Sequence, residues 1–451
     1  MRQGYDTIAI VGNGVAGAEC IRALRENGHC GAIHVFTDST WPIYNPMLTT
    51  YYVAGKIGFD GLFPYGDNEA FCRKYEVDLH PGSSVVALDS AKRILANRAG
   101  LELKYDRCLI ATGASPILPR IEGMRSDRVF TMRTVEDAVR LKKVMGERPK
   151  RALVVGASMV GIKLVELFHT AGMQVCLADL AWHVFPLAAH PECAQLIEGR
   201  LVEMGVRLRL GAGIQRVEET PGGVQAHFAD GGESEEADLV VMSIGVRANT
   251  SFFDRTQVEV RQGILVDEQM RTSADGLYAA GDVAQGKELL SGGQQIIGLW
   301  ANARYQGRAA GRNMAGARDV FPGSIPHNIT HFMGMDFVGI GNVRDYDHMD
   351  VESDGKGFVQ LFWKDGRLVG ANLLDSCEEA GTVKSALIKG TMQGELGPSG
   401  SLAMMRRAAW VPAFVGMTGR GRGWQVAGTV SVEPIRGLGG GQETRWMCRP
   451  C

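Results

Sequence analysis

The chain has 451 residues, 45 % of them hydrophobic and 22 % charged, with a net charge of −2. That is ordinary for a globular protein of two or three domains and gives no reason to expect a nucleic-acid partner. No run of 18 apolar residues occurs, and the N-terminus leads straight into a strand-like segment, so neither a membrane span nor a secretory leader is expected.

In chain order the first element is the apolar run Thr7-Ile-Ala-Ile-Val11, which leads into Gly12-Asn-Gly14-Val15-Ala16-Gly17. A helical pattern runs on to Asn27, with Gly28 as its C-cap, and Ala32–Phe36 reads as a second buried strand followed by Asp38. Strand, glycine turn, helix and strand make one βαβ unit. The arrangement recurs at Arg151–Val155, Gly156-Ala-Ser158-Met-Val-Gly161, a helix to Thr170, and Gln174–Ala178 ending at Asp179. A whole dinucleotide-binding unit is therefore duplicated. Asp106–Gly113, Ala237–Gly245 and Gly276–Asp282 read as buried strands with Gly or an acid at their carboxyl ends, where open α/β sheets bind ligands.

From Phe321 to Gly390 the pattern changes. Phe358–Trp363 and Arg367–Leu374 flank Asp365-Gly366, a hairpin signature, and a helix over Thr382–Ile388 follows. The last 55 residues lose periodicity, with no Lys or Asp, seven Arg, two Glu and eleven Gly. They read as a poorly ordered addition with a charge of +5, which leaves the body at −7. The boundaries expected are 1–120 with 245–320, then 121–244 inserted between them, 321–396, and 397–451.

Glycine usage is high, 59 residues or about 13 %, against roughly 7 % on average. The two turns explain part of it. In Gly-x-Gly-x-x-Gly the first glycine makes the turn, the second admits a pyrophosphate and the third lets helix and strand pack. The helix N-terminus adds free N–H groups and partial positive charge. In the second turn Ser158 stands in the middle position, where its small side chain should still allow close approach. Acids at the second strand ends, Asp38 and Asp179, suit ribose hydroxyls. Asp179 would repel a 2′-phosphate, and Leu180 stands where an Arg often accompanies one, so NADH is favoured over NADPH.

These residues together resemble the two-dinucleotide flavoprotein reductases, the glutathione-reductase-like pyridine nucleotide-disulfide oxidoreductase superfamily. The likeness is greatest to its rubredoxin reductases, ferredoxin reductases and nitrite reductase flavoproteins. It covers residues 5–390 and also rests on Tyr44-Asn-Pro-Met-Leu48, Ala111-Thr-Gly113, Ser243-Ile-Gly245, Ala280-Gly-Asp282-Val and Leu299–Gly307. It implies an α/β fold of two Rossmann-like domains, for FAD and NAD, and a small C-terminal α+β domain. It places Gly12, Gly14, Val15, Ala16, Gly17, Asp38, Thr112, Gly113, Gly281 and Asp282 on FAD. It places Gly156, Ser158, Gly161, Asp179 and Gly245 on NADH. A helix beginning near Ile297 would aim its N-terminus at the flavin. The reaction implied passes electrons from NADH through FAD to a small redox protein such as ferredoxin or rubredoxin. An NADH oxidase, a nitrite-reductase-like subunit, and a non-enzymatic redox sensor are the rival readings. A homodimer and a cytoplasmic location accompany the main one.

Two departures from the family pattern stand out. Lys163 replaces the usual nicotinamide-site Glu; it and Glu166, one turn on, are the catalytic candidates. The segment Pro42–Tyr52 holds no Cys, so a disulfide or peroxide mechanism through a flavin-adjacent thiol is not expected. Relatives often have a Lys near Thr50. Cys20, Cys108 and Cys176 read as small buried hydrophobes. Cys448-x-x-Cys451 lies in the tail without βαβ context, and His331 reads as a packing or surface residue. No Cys/His spacing suggests a metal.

Overall fold

The computed structural model describes residues 6–353 and 355–396; the tail 397–451, with Cys448 and Cys451, lies outside them. The strand Ile8–Val11 is buried along its whole length. It sits at the centre of a five-stranded parallel sheet ordered Leu277–Ala279, Arg107–Ile110, Ile8–Val11, Ile33–Phe36, Asp78–His80. The second sheet repeats the plan: Arg207–Leu210, Gln174–Asp179, Arg151–Val155, Leu239–Met242, Val129–Thr131, again all parallel. In both, the strand before the glycine turn is central, with the next strand of its unit on one side and a later one on the other. That reversal opens a crevice at the carboxyl ends.

The duplication extends beyond the motifs. Each unit carries a three-stranded antiparallel meander, 85–104 in the first and 214–237 in the second. The chain passes between the units through an antiparallel pair, Ala114–Pro116 with Val246–Ala248. The C-terminal part is a five-stranded antiparallel sheet backed by the helix Ala380–Lys389. Its hairpin turns at Asp365-Gly366, both with positive φ, and pairs Lys364 with Arg367. The α/β architecture with two Rossmann-like sheets is as the motifs imply. Boundaries shift slightly: the first helix, Val15–Glu26, is capped by Asn27 with Gly28 just beyond it, and the helix placed near Ile297 starts at Trp300.

Helices Val15–Glu26 and Trp300–Met314 pack backbone to backbone. A Cβ on Gly307 or Gly311 would overlap the carbonyl oxygens of Ala16 and Cys20, so only glycine permits this spacing. Glu19 is fully enclosed at this contact. No described helix is long and apolar enough to cross a membrane.

Candidate functional site

The two glycine turns share the backbone conformation of their first glycine. Gly12 has φ +114° and Gly156 φ +112°, and a Cβ on either would overlap a carbonyl oxygen, of Ala111 or Ser243. Both conditions exclude any other residue. Gly17 and Gly161 abut the carbonyls of Gly12 and Gly156 in the same way. Gly14 is different: a Cβ there would meet nothing within 4 Å. It caps a helix that has no side-chain cap, so the space before the N-terminus is open.

Ser158 does more than keep its position small. Its Oγ accepts from Gly161 N at 3.2 Å and donates to Ser243 O at 3.0 Å, making it the helix N-cap. Asp179 reaches into the same turn. Its carboxylate accepts from Ala157 N at 2.6 Å and Ala181 N at 2.8 Å. Leu180 beside it is 74 % exposed.

Around the first turn, Thr112 and Asn249 bond reciprocally: Thr112 Oγ1 donates to Asn249 O at 2.8 Å, and Asn249 Nδ2 donates to Thr112 O at 2.9 Å. Gly113 and Gly245 both have positive φ. Gly281 N donates to Gln306 Oε1 at 2.8 Å. Asp282 pairs with Arg133 at 2.6 Å. Tyr44 lies within range of the Arg133 charge, but burial dominates and pushes its hydroxyl up to about 12. Asp38 is exposed beyond the second strand. Asn302, in the first turn of the helix from Trp300, donates Nδ2 to Ile297 O at 2.9 Å. Its Oδ1 is buried without a partner among the described residues. Arg133, Asn249 and Asn302 carry no expectation from the motifs, although Asn302 sits inside the Leu299–Gly307 run.

The structure joins Lys163 to Glu166. The Lys163 Nζ donates to Glu166 Oε2 at 2.5 Å and to His331 O at 2.6 Å. Lys56 reaches the other Glu166 oxygen at 3.5 Å. Burial raises the Glu166 carboxyl, but the two lysines outweigh it and hold it below the ordinary carboxylate range. Glu166 is therefore committed to cations rather than free to replace the missing acid. The cluster borders a cavity of about 190 Å³ with Tyr51, Met145 and Thr170, away from the Ser158 end of the helix. The His331 ring is exposed and paired with Asp336 at 2.8 Å.

Pro42–Tyr52 contributes no thiol. Cys20, Cys108 and Cys176 are buried, as is Cys193. Burial pushes the thiols of Cys176 and Cys193 up to about 12, which makes them poor nucleophiles.

Against known proteins, a family model for pyridine nucleotide-disulphide oxidoreductases matches residues 6–307. The epsilon subunit of NADH-dependent phenylglyoxylate dehydrogenase from Aromatoleum evansii is 29 % identical over 389 residues, 85 % of this chain and 91 % of that one. Rubredoxin-NAD(+) reductase from Pseudomonas putida is 26 % identical, over 84 % of this chain and 98 % of its own. Among solved structures, a covalent putidaredoxin reductase–putidaredoxin complex is alike in fold. Its TM-score is 0.81 at 24 % identity, covering 90 % of this chain and 99 % of that one.

Proposed function

The chain belongs to the pyridine nucleotide-disulphide oxidoreductase family, an oxidoreductase family using a flavin and NAD(P)H, and from that premise we propose an FAD-dependent reductase that oxidises NADH and delivers electrons to a small redox protein. The observation that carries this reading is the pair of matched glycine turns at two sheet crevices, together with a cysteine-free segment 42–52. Two dinucleotides are accommodated, and the segment 42–52 offers no thiol to relay electrons.

The open front of Gly14 suits a pyrophosphate, and the Asn302 Oδ1, buried without a partner among the described residues, suits a donor such as a hydroxyl of the same cofactor. The chemistry a bound flavin supplies is conversion of a two-electron hydride into single electrons. In this reading Gly12, Gly14, Val15, Ala16 and Gly17 hold its pyrophosphate on helix N–H groups, and Asp38 holds its adenosine ribose. Thr112, Gly113, Gly281 and Asp282 line the rest, with Arg133 fixing the Asp282 carboxylate. Gly156, Ser158, Gly161 and Gly245 seat the NADH pyrophosphate and its neighbourhood. Asp179 serves the ribose while bracing the turn through Ala157. Lys163 and Glu166, being mutually neutralised, act as positioning residues between the second unit and the strand His327–Phe332.

A separate electron partner is supported by the relatives: one is a subunit of a larger dehydrogenase and another a rubredoxin reductase. The surface beside Trp300 suits an acidic acceptor. Arg22, Arg304 and Arg308 share the buried Glu19, Arg22 also meets Glu26 at 3.8 Å, and Lys74 lines the same cleft. That leaves a cationic patch on an otherwise acidic body.

Anaerobic stopped-flow mixing with NADH tests this reading. Flavin bleaching at about 1 per second or faster is expected, in the range of ordinary turnover, followed by reduction of added ferredoxin or rubredoxin. Bleaching slower than about 0.01 per second overturns the reductase reading. Oxygen uptake that exceeds acceptor reduction assigns an NADH oxidase instead.

A further inference from the structure

On the outer edge of the first sheet, His34, Asp78 and His80 bring three ligand atoms together, and we propose that they bind a divalent first-row transition ion such as Zn²⁺. The strands Ile33–Phe36 and Asp78–His80 pair in parallel with His34 opposite Asp78 and Phe36 opposite His80. Side chains two apart on a strand share a face, so all four project from the same side.

The distances are those of a coordination site. His34 Nδ1 lies 3.0 Å from Asp78 Oδ2 and 3.4 Å from His80 Nε2, and His80 Nε2 lies 3.4 Å from Asp78 Oδ2. Ligands placed tetrahedrally at about 2.0–2.1 Å from zinc are about 3.3–3.4 Å apart. Hydrogen bonds alone account for the triangle poorly. Each ring nitrogen carries at most one proton, aimed along one in-plane direction, so with an ionised Asp78 two contacts at most are bonds. An ion among the three atoms accepts a lone pair from each.

The ligands are also held before any ion arrives. The His80 ring lies flat on Phe36, centroids 4.4 Å apart and planes 10° apart. Backbone bonding continues past the strand, with Thr37 N donating to His80 O at 3.3 Å. Two imidazoles and one carboxylate disfavour Mg²⁺ and Ca²⁺, which prefer all-oxygen sets, and suit Zn²⁺ or its neighbours. Asp78 is exposed, so solvent can complete the coordination shell. His34 lies 44 and 46 positions from Asp78 and His80, so the short Asp78-x-His80 spacing alone does not announce the set. Bound there, the ion ties the edge strand to its neighbour.

The test uses the full-length chain without an affinity tag, stripped by a chelator and titrated with Zn²⁺ alone by calorimetry. We expect a saturable site of one ion per chain and a rise in Tm on zinc addition, because an ion that binds only the folded state stabilises it. The variants His34→Gln and Asp78→Asn keep side-chain size. Each should keep the Tm of the stripped parent, lower zinc affinity by at least about tenfold, and abolish the zinc-dependent rise. If wild type shows no such binding, or the variants bind zinc as tightly as it does, the site is overturned. The flavin spectrum and NADH reduction are independent of this outcome.

Discussion

Arg133 Nη2 meets Asp282 Oδ2 at 2.6 Å across 149 positions of sequence. The pair ties the loop after the strand Val129–Thr131 of the second sheet to the turn after Leu277–Ala279 of the first. Both side chains are mostly covered, at 23 % and 17 % exposure. Asp282→Asn keeps the shape and removes the charge. A charged hydrogen bond is worth about 1.5–3 kcal/mol, so flavin affinity should fall roughly 10- to 100-fold. The ratio of flavin to protein absorbance after dialysis measures it. Full flavin content in this variant would remove Asp282 from the cofactor site.

Glu19 makes a second prediction, about pH. It is fully buried yet accepts from Tyr65 at 2.5 Å, Arg308 at 2.5 Å, Arg22 at 3.1 Å and Arg304 at 3.3 Å. Burial alone would raise its carboxyl, but the tyrosine and the arginines lower it below the ordinary value. A carboxylate whose pKa is depressed by folding contributes stability above its unfolded value, about 4.3, and loses it as pH falls through the folded value. Glu19→Gln removes the anion shared by three partly exposed arginines and should cost about 1.5–3 kcal/mol at pH 7. The gap to wild type should narrow below about pH 4. Urea unfolding at the two pH values reads this directly, and a constant gap contradicts it.

The central strands, both glycine turns and the Asp365-Gly366 hairpin were legible because each couples a local pattern to a local geometry. A positive φ at Gly12 or a buried run such as Ile8–Val11 leaves its mark within a few residues. The meanders were not legible. Their strands are short and face solvent on one side, as in Ile214–Thr220, where Val217 alone is buried, so the apolar signal is weak. Long-range partnerships were invisible for another reason. Arg133 with Asp282, and Lys163 with the His331 carbonyl, depend on how the units meet. Ser158 was read for its size, whereas its Oγ is what the turn uses. Gly307 closes the Leu299–Gly307 run and Gly311 belongs to no motif, and the purpose of both appears only when the opposing helix is in place.

Asp179 carries the third prediction. It has two tasks in the structure, bracing Ala157 N and Ala181 N and, in the proposed reading, receiving the ribose. Asp179→Gly combined with Leu180→Arg removes the charge that would repel a 2′-phosphate and adds a cation at an exposed position. The ratio of kcat/KM for NADPH to that for NADH should rise at least tenfold, about 1.4 kcal/mol of relative transition-state binding. Losing the two backbone bonds should also lower Tm, by about 1–3 kcal/mol in stability. An unchanged ratio with a lowered Tm would leave Asp179 a purely structural residue.

The contrast between Gly12 and Gly14 gives the most direct test of the first turn. At Gly12 both φ and the Ala111 carbonyl oppose a side chain. Gly12→Ala should therefore cost about 2–4 kcal/mol from strain and overpacking together, with or without flavin. At Gly14 the backbone is extended, at φ −92° and ψ −173°, and the space a Cβ would enter is open. Gly14→Ala should leave the flavin-free protein within about 1 kcal/mol of wild type, since only an N-cap preference changes. If that space admits a pyrophosphate, the same methyl should still lower flavin content sharply. Apoprotein Tm and flavin stoichiometry, measured on both variants, separate the cases. A Gly14→Ala protein that is stable and fully flavinylated places the pyrophosphate elsewhere, whereas one that is stable and flavin-poor assigns the open space to the cofactor.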